Sequence, residues 1–182
     1  MILQKELINL LQMAHSAEMA AAFAYQGHAG SLKDAAIKKA IKIIEDDEWQ
    51  HREEVLKIMK EYAIPVSKWY ELKYTLIGKL ISANRYVIGW FMPMYFAGRL
   101  ESGNVNEYFI MKDLFNALNI TKHDPILIEM GMKEKEHEVF FLEQIRQHKL
   151  LPVFEKVFNW GASKSFNAIG TDALIEQETI IK

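Results

Sequence analysis

Six side chains suited to hard divalent metals recur along this chain of 182 residues. They form two Glu-x-x-His pairs, each preceded by a single Glu: Glu18, Glu48, His51, Glu101, Glu134 and His137. A Glu and a His three residues apart on a helix lie about one turn from each other, so both can reach one metal ion. One Glu from each of two helices and Glu-x-x-His from each of two others is the ligand set of a two-metal site inside a four-helix bundle. The spacing therefore predicts such a site.

The four carboxylates of this set lie on otherwise apolar helical faces. Glu48, for example, shares a face with Ile41, Ile44 and Val55, which recur at helical spacing. Carboxylates that are buried in isolation lose several kcal/mol of solvation and also repel one another. Buried salt bridges are the structural alternative, but these faces offer few Lys or Arg partners. We therefore predict that two metal ions neutralise the cluster.

The two halves of the pattern mirror each other. Glu18 precedes Tyr25 by seven residues, and Glu101 precedes Tyr108 by the same interval. Each of these segments is followed about 30 residues later by a Glu-x-x-His segment. This repetition predicts two helical hairpins that pack about a pseudo-twofold axis and supply half of the site each.

Within such a site, Glu48 and Glu134 are expected to bridge the metals, with Glu18 and Glu101 as terminal ligands and one His on each metal. The chain contains no Cys, so every ligand must be an oxygen or a nitrogen atom. Such a donor set favours iron or manganese but does not separate them. The predicted cofactor is a pair of iron ions, with manganese as the alternative.

Three further residues are candidates for contacts just outside the ligands. Asp47 is placed to accept the outer N–H of an opposing metal-bound His, although a residue among so many acids can equally be solvated. Tyr25 and Tyr108 either hydrogen-bond to the ligands or serve only as packing residues.

Apolar periodicity predicts an all-α fold without strands. The fourth long helix has the clearest start, since Asp124 can cap its amides and Pro125 suits its first position. The four long helices, with a long crossover segment and a connecting helix between the second and third, are expected to form a bundle at 1–150. Residues 151–182 form a C-terminal extension with a short helix and a tail. The predicted helices cover about 3–29, 34–65, 67–82, 86–118, 124–149 and 152–159.

Several residues are expected to set the helix boundaries. Gly27 and Gly30 are available to end the first helix. Ser31 with Asp34 is typical of a capping box at the start of the second helix. Pro93 is expected to kink the third long helix. The long apolar region is thereby divided into a connecting helix and a ligand-bearing helix.

Composition and charge narrow the class of protein. The net charge of -2 gives no electrostatic footprint for nucleic acid, and we expect no nucleic-acid partner. Residues 1–11 lack the basic and uninterrupted apolar regions of a signal peptide, which predicts a cytoplasmic protein. The longest uncharged part of the apolar middle, 86–98, is shorter than the roughly 20 residues of a membrane span. Contact with a membrane surface stays open.

The remaining acidic, histidine and alanine residues have simpler expected roles. Acidic residues beside the ligands are expected to be solvated: Glu45, Glu53, Glu54, Glu136 and Glu138. The other histidines are not expected to bind metal: His15, His28, His123 and His148. A run of alanines on the first helix indicates close packing, with an opening for oxygen or substrate as the alternative: Ala17, Ala20, Ala21, Ala22 and Ala24.

The first helix resembles the signature of the demethoxyubiquinone hydroxylases, a family of ferritin-like di-iron carboxylate proteins. His, Glu, Ala, Tyr and Gly recur there at the same offsets: His15, Ser16, Ala17, Glu18, Met19, Ala20, Ala21, Tyr25 and Gly27. The resemblance extends to the Gly-interrupted apolar approach to Glu101, to Tyr108, and to Glu134-x-x-His137, and covers about residues 10–145. The chain departs at Ala14, where that family has an acidic residue, and at His28, where it has Gln.

The resemblance implies a ferritin-like four-helix bundle with a di-iron site that activates dioxygen. It would act as a hydroxylase or monooxygenase of an apolar, quinone-like small molecule, with electrons from an unidentified donor. The apolar stretch 86–96 would admit such a substrate from a membrane surface. Ordinary bundle core together with a homo-oligomer contact is the favoured alternative for that stretch.

Other functions fit the same six ligands. Ferritin-like iron oxidation and storage is one, although the chain lacks an obvious fifth helix and cage signature. Rubrerythrin-like peroxide reduction is another, but there is no cysteine rubredoxin module, and Asn104 stands where that family often carries an extra Glu. A helical interaction protein with a purely structural metal is the non-enzymatic alternative.

Overall fold

The computed structural model of the protein describes residues 4–83 and 89–161. Within these ranges every regular element is a helix and there is no strand, so the predicted all-α class is confirmed. The elements are α1 Lys5–Ser31, α2 Ala35–Glu61, α3 Lys68–Ala83, α4 Phe91–Asn116, α5 Asp124–Ile145 and α6 Leu151–Phe158.

The helices pack mainly as two groups. α1 lies against α2 and α3, and α4 lies against α5, while α1–α4 and α2–α5 contacts join the two groups. Two apolar clusters fill the space between the helices. One cluster is formed by residues such as Leu11, Val55 and Met111, and the other by residues such as Ile41 and Phe141.

The predicted metal ligands lie between these two clusters. On α2, for instance, Glu48 and His51 follow Ile44 of one cluster and precede Val55 of the other. The same order holds on α4, and the reverse order holds on α1 and α5. A polar layer is therefore enclosed by apolar layers on both sides, and the amphipathic pattern of each helix holds that layer at one level.

The boundary of α1 and α2 differs from the prediction. α1 continues through Gly27 and Gly30 to Ser31, whose hydroxyl donates to the carbonyl oxygen of His28 at 2.8 Å. Asp34 alone caps α2, by accepting hydrogen bonds from the backbone N–H groups of residues 36 and 37. Gly27 is needed for packing, because a Cβ atom there would lie 2.4 Å from the Ser82 hydroxyl oxygen.

The starts of α4 and α5 also differ in detail. Pro93 lies in the first turn of α4, where its missing N–H is not required, so it does not kink the helix. Residues 86–88, the predicted start of that helix, lie outside the described residues. Asp124 is already helical and His123 occupies the N-cap position, so the predicted Asp cap is wrong, whereas Pro125 lies in the first turn as expected. α5 ends at Ile145, ahead of the predicted 149.

The connecting helix α3 is fixed to α1 and α2 by a close approach and an ion pair. A Cβ atom on Gly78 would lie 2.7 Å from the carbonyl oxygen of Ala20, so only glycine fits there. Glu71 accepts from the Ser16 hydroxyl at 2.7 Å and pairs with the Arg52 guanidinium at 2.8 Å. Burial favours the neutral form of Glu71, but these partners outweigh it and lower its pKa.

The C-terminal segment packs against α4. The Tyr95 hydroxyl lies 2.7 Å from the carbonyl oxygen of Trp160 and 3.1 Å from that of Phe154. The Trp160 ring is buried in the same apolar cluster as Tyr95. In the parts of the chain that the structure describes, no helix is both long and apolar enough to cross a membrane.

Candidate metal centre

The structure brings together all six residues that the Glu and His spacing singled out. Glu48, Glu101 and Glu134 are fully buried, and the other three are 3–5% exposed. They form two overlapping groups, in each of which four potential ligand atoms lie within 4.8 Å of one another. One group is Glu18, Glu48, His51 and Glu134, and the other is Glu48, Glu101, Glu134 and His137. Each group could hold a metal ion.

Glu48 and Glu134 belong to both groups. They come from α2 and α5, so each of these helices contributes one carboxylate to both halves of the cluster. Glu18 and Glu101 belong to one group each and come from α1 and α4. This distribution is the one expected of two bridging and two terminal carboxylates.

The cluster has polar atoms that nothing in the described protein satisfies. Among residues 4–83 and 89–161, these buried atoms have no hydrogen-bond partner: Glu18 Oε2, Glu48 Oε1 and Oε2, Glu134 Oε2 and His137 Nδ1. Buried polar atoms normally have partners, so a group of orphans in one place needs an explanation. Divalent cations would satisfy these oxygen and nitrogen atoms together, and the donor set therefore fits a metal centre.

Two tyrosines tie the halves of the cluster together. The Tyr25 hydroxyl on α1 donates to Glu101 on α4, and the Tyr108 hydroxyl on α4 donates to Glu18 on α1. The equal Glu-to-Tyr spacing is thus realised as a pair of crossed hydrogen bonds. Burial, together with the charge of Glu18, raises the pKa of Tyr108 well above its ordinary value. Both tyrosines contact carboxylates of the cluster, in addition to packing.

The two histidines have different surroundings. His51 Nδ1 lies 2.8 Å from Glu134 Oε1, and His137 Nδ1 lies 3.4 Å from Glu48 Oε1. On its outer side, His137 Nε2 lies 3.0 Å from Asp47 Oδ2. Asp47 therefore makes the contact that was predicted for it and fixes the orientation of the ring. Lys133 occupies the corresponding place on α5 but pairs with an exposed Glu, so this outer contact is asymmetric.

The carboxylates perturb one another in the absence of a metal. Burial, and next the charge of Glu134, raise the pKa of Glu18, Glu48 and Glu101. Burial acts on Glu134 in the same sense, but interactions with Glu101 and the two histidines outweigh it and lower the Glu134 pKa. Burial would lower the pKa of His51, but its contact with Glu134 raises it. Without a metal, burial and mutual repulsion therefore favour the protonated forms of Glu18, Glu48 and Glu101.

A cavity of about 420 Å³ adjoins the cluster and is lined almost entirely by apolar side chains. Its polar lining includes Tyr25 and Asn104, and both donate hydrogen bonds to Glu101. The cavity wall is thus one side chain away from a potential metal ligand. The alanines of α1 leave this space open, since Ala17, Ala20, Ala21 and Ala24 all line it. Two roles were expected for these alanines, close packing or an opening beside the site. The opening describes the four alanines better than close packing alone.

Two residues expected to be solvated are buried. Glu45 is 3% exposed and pairs with Lys42 at 2.9 Å. Glu138 is 1% exposed and accepts from the Trp160 indole N–H at 2.8 Å. Helical spacing could not reveal this, because Glu138 is covered by the distant C-terminal segment. Glu53 and Glu136 are exposed as expected, and Glu54 is half-buried beside a lysine.

Asn104 is a site residue that the ligand pattern did not assign. Its side-chain amide donates to Glu101 Oε2 at 3.1 Å. Its position one turn after Glu101 was the available signal, since residues three apart on a helix face each other. Of the histidines not expected to bind metal, His15, His28 and His123 are buried, but none belongs to either potential metal group.

Metal removal should make stability depend on pH in a defined direction. A carboxyl with a raised pKa stabilises the folded chain below its unfolded pKa, and that contribution is lost as the pH rises through the folded value. His51 acts in the same direction, because its pKa is also raised. We expect the contribution of these cluster groups to the stability of the metal-free protein to fall from about pH 5 to pH 8, and added Mn²⁺ to restore it while releasing protons. Thermal unfolding and calorimetry in buffers of different ionisation enthalpy measure both effects.

Glu48→Gln provides the matched test of this expectation. It removes a carboxylate that belongs to both groups, so the metal-free variant should be more stable than the parent at pH 8 by at least about 1 kcal/mol. It should also gain no stability from Mn²⁺. Glu53→Gln on the exposed face of the same helix should behave like the parent protein. Equal pH dependence in the parent and Glu48→Gln would contradict the account of the cluster.

Comparisons with known proteins leave this geometry as the basis for a functional assignment. No family model matches the chain, and searches of curated proteins and of solved structures found no significant match. Inference about function therefore starts from the buried cluster and from the cavity beside it.

Proposed function

We propose that the protein is a non-haem di-iron oxidoreductase in a ferritin-like four-helix bundle, with manganese as the alternative metal. The overlapping groups of ligand atoms and their orphaned oxygens support this assignment. In the proposed site, Glu48 and Glu134 bridge the two ions. Glu18 and His51 would complete the coordination of one ion, and Glu101 and His137 would complete that of the other.

The chemistry that the pair of iron ions would supply, when bound, is reductive activation of dioxygen. The protein holds the ligands in place for that task. Asp47 orients the His137 ring, and the hydrogen bonds from Tyr25 and Asn104 orient Glu101. The apolar layers above and below the cluster exclude water from it, which strengthens the electrostatic interactions inside.

The observation that carries the proposed reaction is the apolar cavity beside Glu101. Its volume is in the range of small-molecule sites, and its lining suits an apolar organic substrate. We infer that the protein hydroxylates such a molecule, and the likeness to demethoxyubiquinone hydroxylases agrees with a quinone-like one. One oxygen atom of dioxygen enters a C–H bond, and the other leaves as water with two protons and two electrons from an external donor.

Iron storage and peroxide reduction are the competing functions of the same ligand set. Neither needs an organic-sized apolar cavity next to a terminal ligand, so the cavity favours hydroxylation. A purely structural metal is the third alternative. It would need no apolar cavity beside the cluster.

The reaction can be tested with protein loaded anaerobically with two Fe²⁺ per chain. On mixing with dioxygen, we expect rapid oxidation of both ions. With ¹⁸O₂, a chemical reductant and 4-propylphenol as probe, we expect one ¹⁸O atom in the organic product by mass spectrometry. Glu48→Gln should lower both rates at least about 100-fold, because it removes a ligand of both ions. Glu53→Gln should leave them unchanged.

Other outcomes identify the competing functions. Uptake of many iron ions per chain without labelled product would indicate storage. Turnover of peroxide but not of dioxygen would indicate peroxide reduction. A site that binds Zn²⁺ and never oxidises iron would leave only the structural role. Each of these results would contradict the hydroxylase assignment.

An exposed apolar stripe on α3 suggests where the substrate comes from. Trp69, Leu72, Leu76 and Leu80 recur at helical spacing and are 55–67% exposed. The exposed lysines of the same helix are Lys68, Lys73 and Lys79, whereas its acidic residue is held by Arg52. Beside the stripe lie Ile77 and Ile81, which line the cavity. An apolar stripe with flanking cations suits an anionic lipid surface, and we propose that the cavity fills from one.

Vesicle sedimentation tests this docking surface. We expect the protein to bind vesicles with about 30% phosphatidylglycerol and to bind neutral phosphatidylcholine vesicles less. Leu76→Gln with Leu80→Gln should weaken binding at least about tenfold, since each leucine loses its burial in the lipid interface. Ile110→Gln, at an exposed apolar position on α4, should have no effect. A dimer in solution that the double variant dissociates would instead assign the stripe to a second copy of the chain.

A further inference from the structure

His28 is a buried polar side chain with no task in the proposed metal centre. It is 5% exposed and lines the apolar cavity. Neither of its ring nitrogens has a hydrogen-bond partner among residues 4–83 and 89–161. Because buried polar side chains normally have partners, this arrangement points to a partner that the protein itself does not supply.

The ring of His28 is suited to neutral partners. Burial lowers its pKa to about 4, so the imidazole is uncharged at neutral pH. One ring nitrogen then donates a hydrogen bond and the other accepts one. A hydroxyl group can pair with either nitrogen, and a carbonyl group accepts from the nitrogen that carries the hydrogen. A carboxylate or an ammonium group would be buried in an apolar cavity without an opposite charge, which is costly.

The position of His28 defines the shape of the ligand. Ala17 and His28 lie at the two ends of the α1 lining, eleven residues apart and hence about 16 Å along the helix. Tyr25 and Asn104 already use hydrogen bonds to hold Glu101. His28 lies one turn beyond Tyr25, on the side away from Glu18. The α1 side of the cavity is therefore long enough for an elongated ligand, and between Ala17 and His28 it is lined by alanines apart from Tyr25.

We propose that His28 is a specificity-determining residue that hydrogen-bonds to a neutral polar group of an elongated apolar substrate. This inference rests on the proposed function, because it names the substrate class of that same cavity. The ligand class is an aromatic or aliphatic body with a hydroxyl or carbonyl at one end. The polar end lies at His28, and the apolar body extends toward Glu101.

Binding of two matched probes tests the proposal without any turnover. Calorimetry measures the dissociation constants of 4-propylphenol and of propylbenzene for the full-length protein. The selectivity is the ratio of these two constants. A hydrogen bond contributes about 0.5–1.5 kcal/mol, so His28→Phe should lower the selectivity for the phenol about two- to tenfold. His28→Gln, which retains a donor and an acceptor, should keep it within about twofold.

Three controls accompany the measurement. His28→Phe should still bind propylbenzene, which shows that the variant is folded and that its cavity is intact. Tyr74→Phe removes a different hydroxyl from the lining and should leave the selectivity unchanged. Ala24→Leu should weaken both probes, since it fills the cavity.

Three outcomes would overturn the proposal. They are an unchanged selectivity in His28→Phe, an equal loss of both probes in that variant, or a loss of selectivity in Tyr74→Phe instead. Because the measurement needs neither dioxygen nor electrons, it is independent of the proposed reaction. Selective binding without any hydroxylated product would remove the reaction and leave the role of His28 in place.

Discussion

Four carboxylates and two imidazoles are buried together at the centre of this protein, and the rest of the structure is arranged around that electrostatic conflict. Burial and mutual repulsion act against the ionised forms of Glu18, Glu48 and Glu101. Crossed tyrosine hydrogen bonds and the contact between His51 and Glu134 relieve only part of the conflict. Metal ions at the two overlapping groups would remove it, because they supply positive charge where the orphaned oxygen atoms converge.

The same centre is linked to the outside by one apolar cavity. At one end, Tyr25 and Asn104 form its wall and also hold Glu101. One turn beyond Tyr25 on α1 lies His28, whose ring offers a hydrogen bond that the described protein does not use. α3 closes the cavity along its side and carries the exposed apolar stripe. The proposed substrate recognition and entry therefore share one cavity lined by α1, α3 and α4, next to the proposed metal centre.

Local patterns in the sequence were sufficient for the features that depend on helical period. The spacing of Glu48 and His51, and the apolar residues around them, predicted a buried cluster from four helices. The contact between Asp47 and His137 was also predictable, since it follows from two helices facing each other. Helix ends were less predictable. Ser31 and Asp124 are residue types that commonly cap helices. However, Asp34 and His123 occupy the N-cap positions of α2 and α5.

Features that depend on distant segments could not be predicted from spacing. Glu138 is buried because Trp160 folds back onto it, and no local pattern records that contact. The cavity arises because α3 approaches α1 closely at Gly78 and leaves room beside the neighbouring alanines. The sequence pattern predicts only that His28 does not bind metal. Its proposed role in ligand binding can be inferred only when the cavity that it lines is known.

Anomalous scattering from crystals grown with Mn²⁺ tests the central claim most directly, because it locates each metal without reference to any reaction. The account predicts two manganese peaks about 3–4 Å apart inside the bundle, with carboxylates bridging them. One peak should contact Glu18 and His51, the other Glu101 and His137, and both should contact Glu48 and Glu134. A single peak, peaks confined to the surface, or an internal space without manganese would contradict the account.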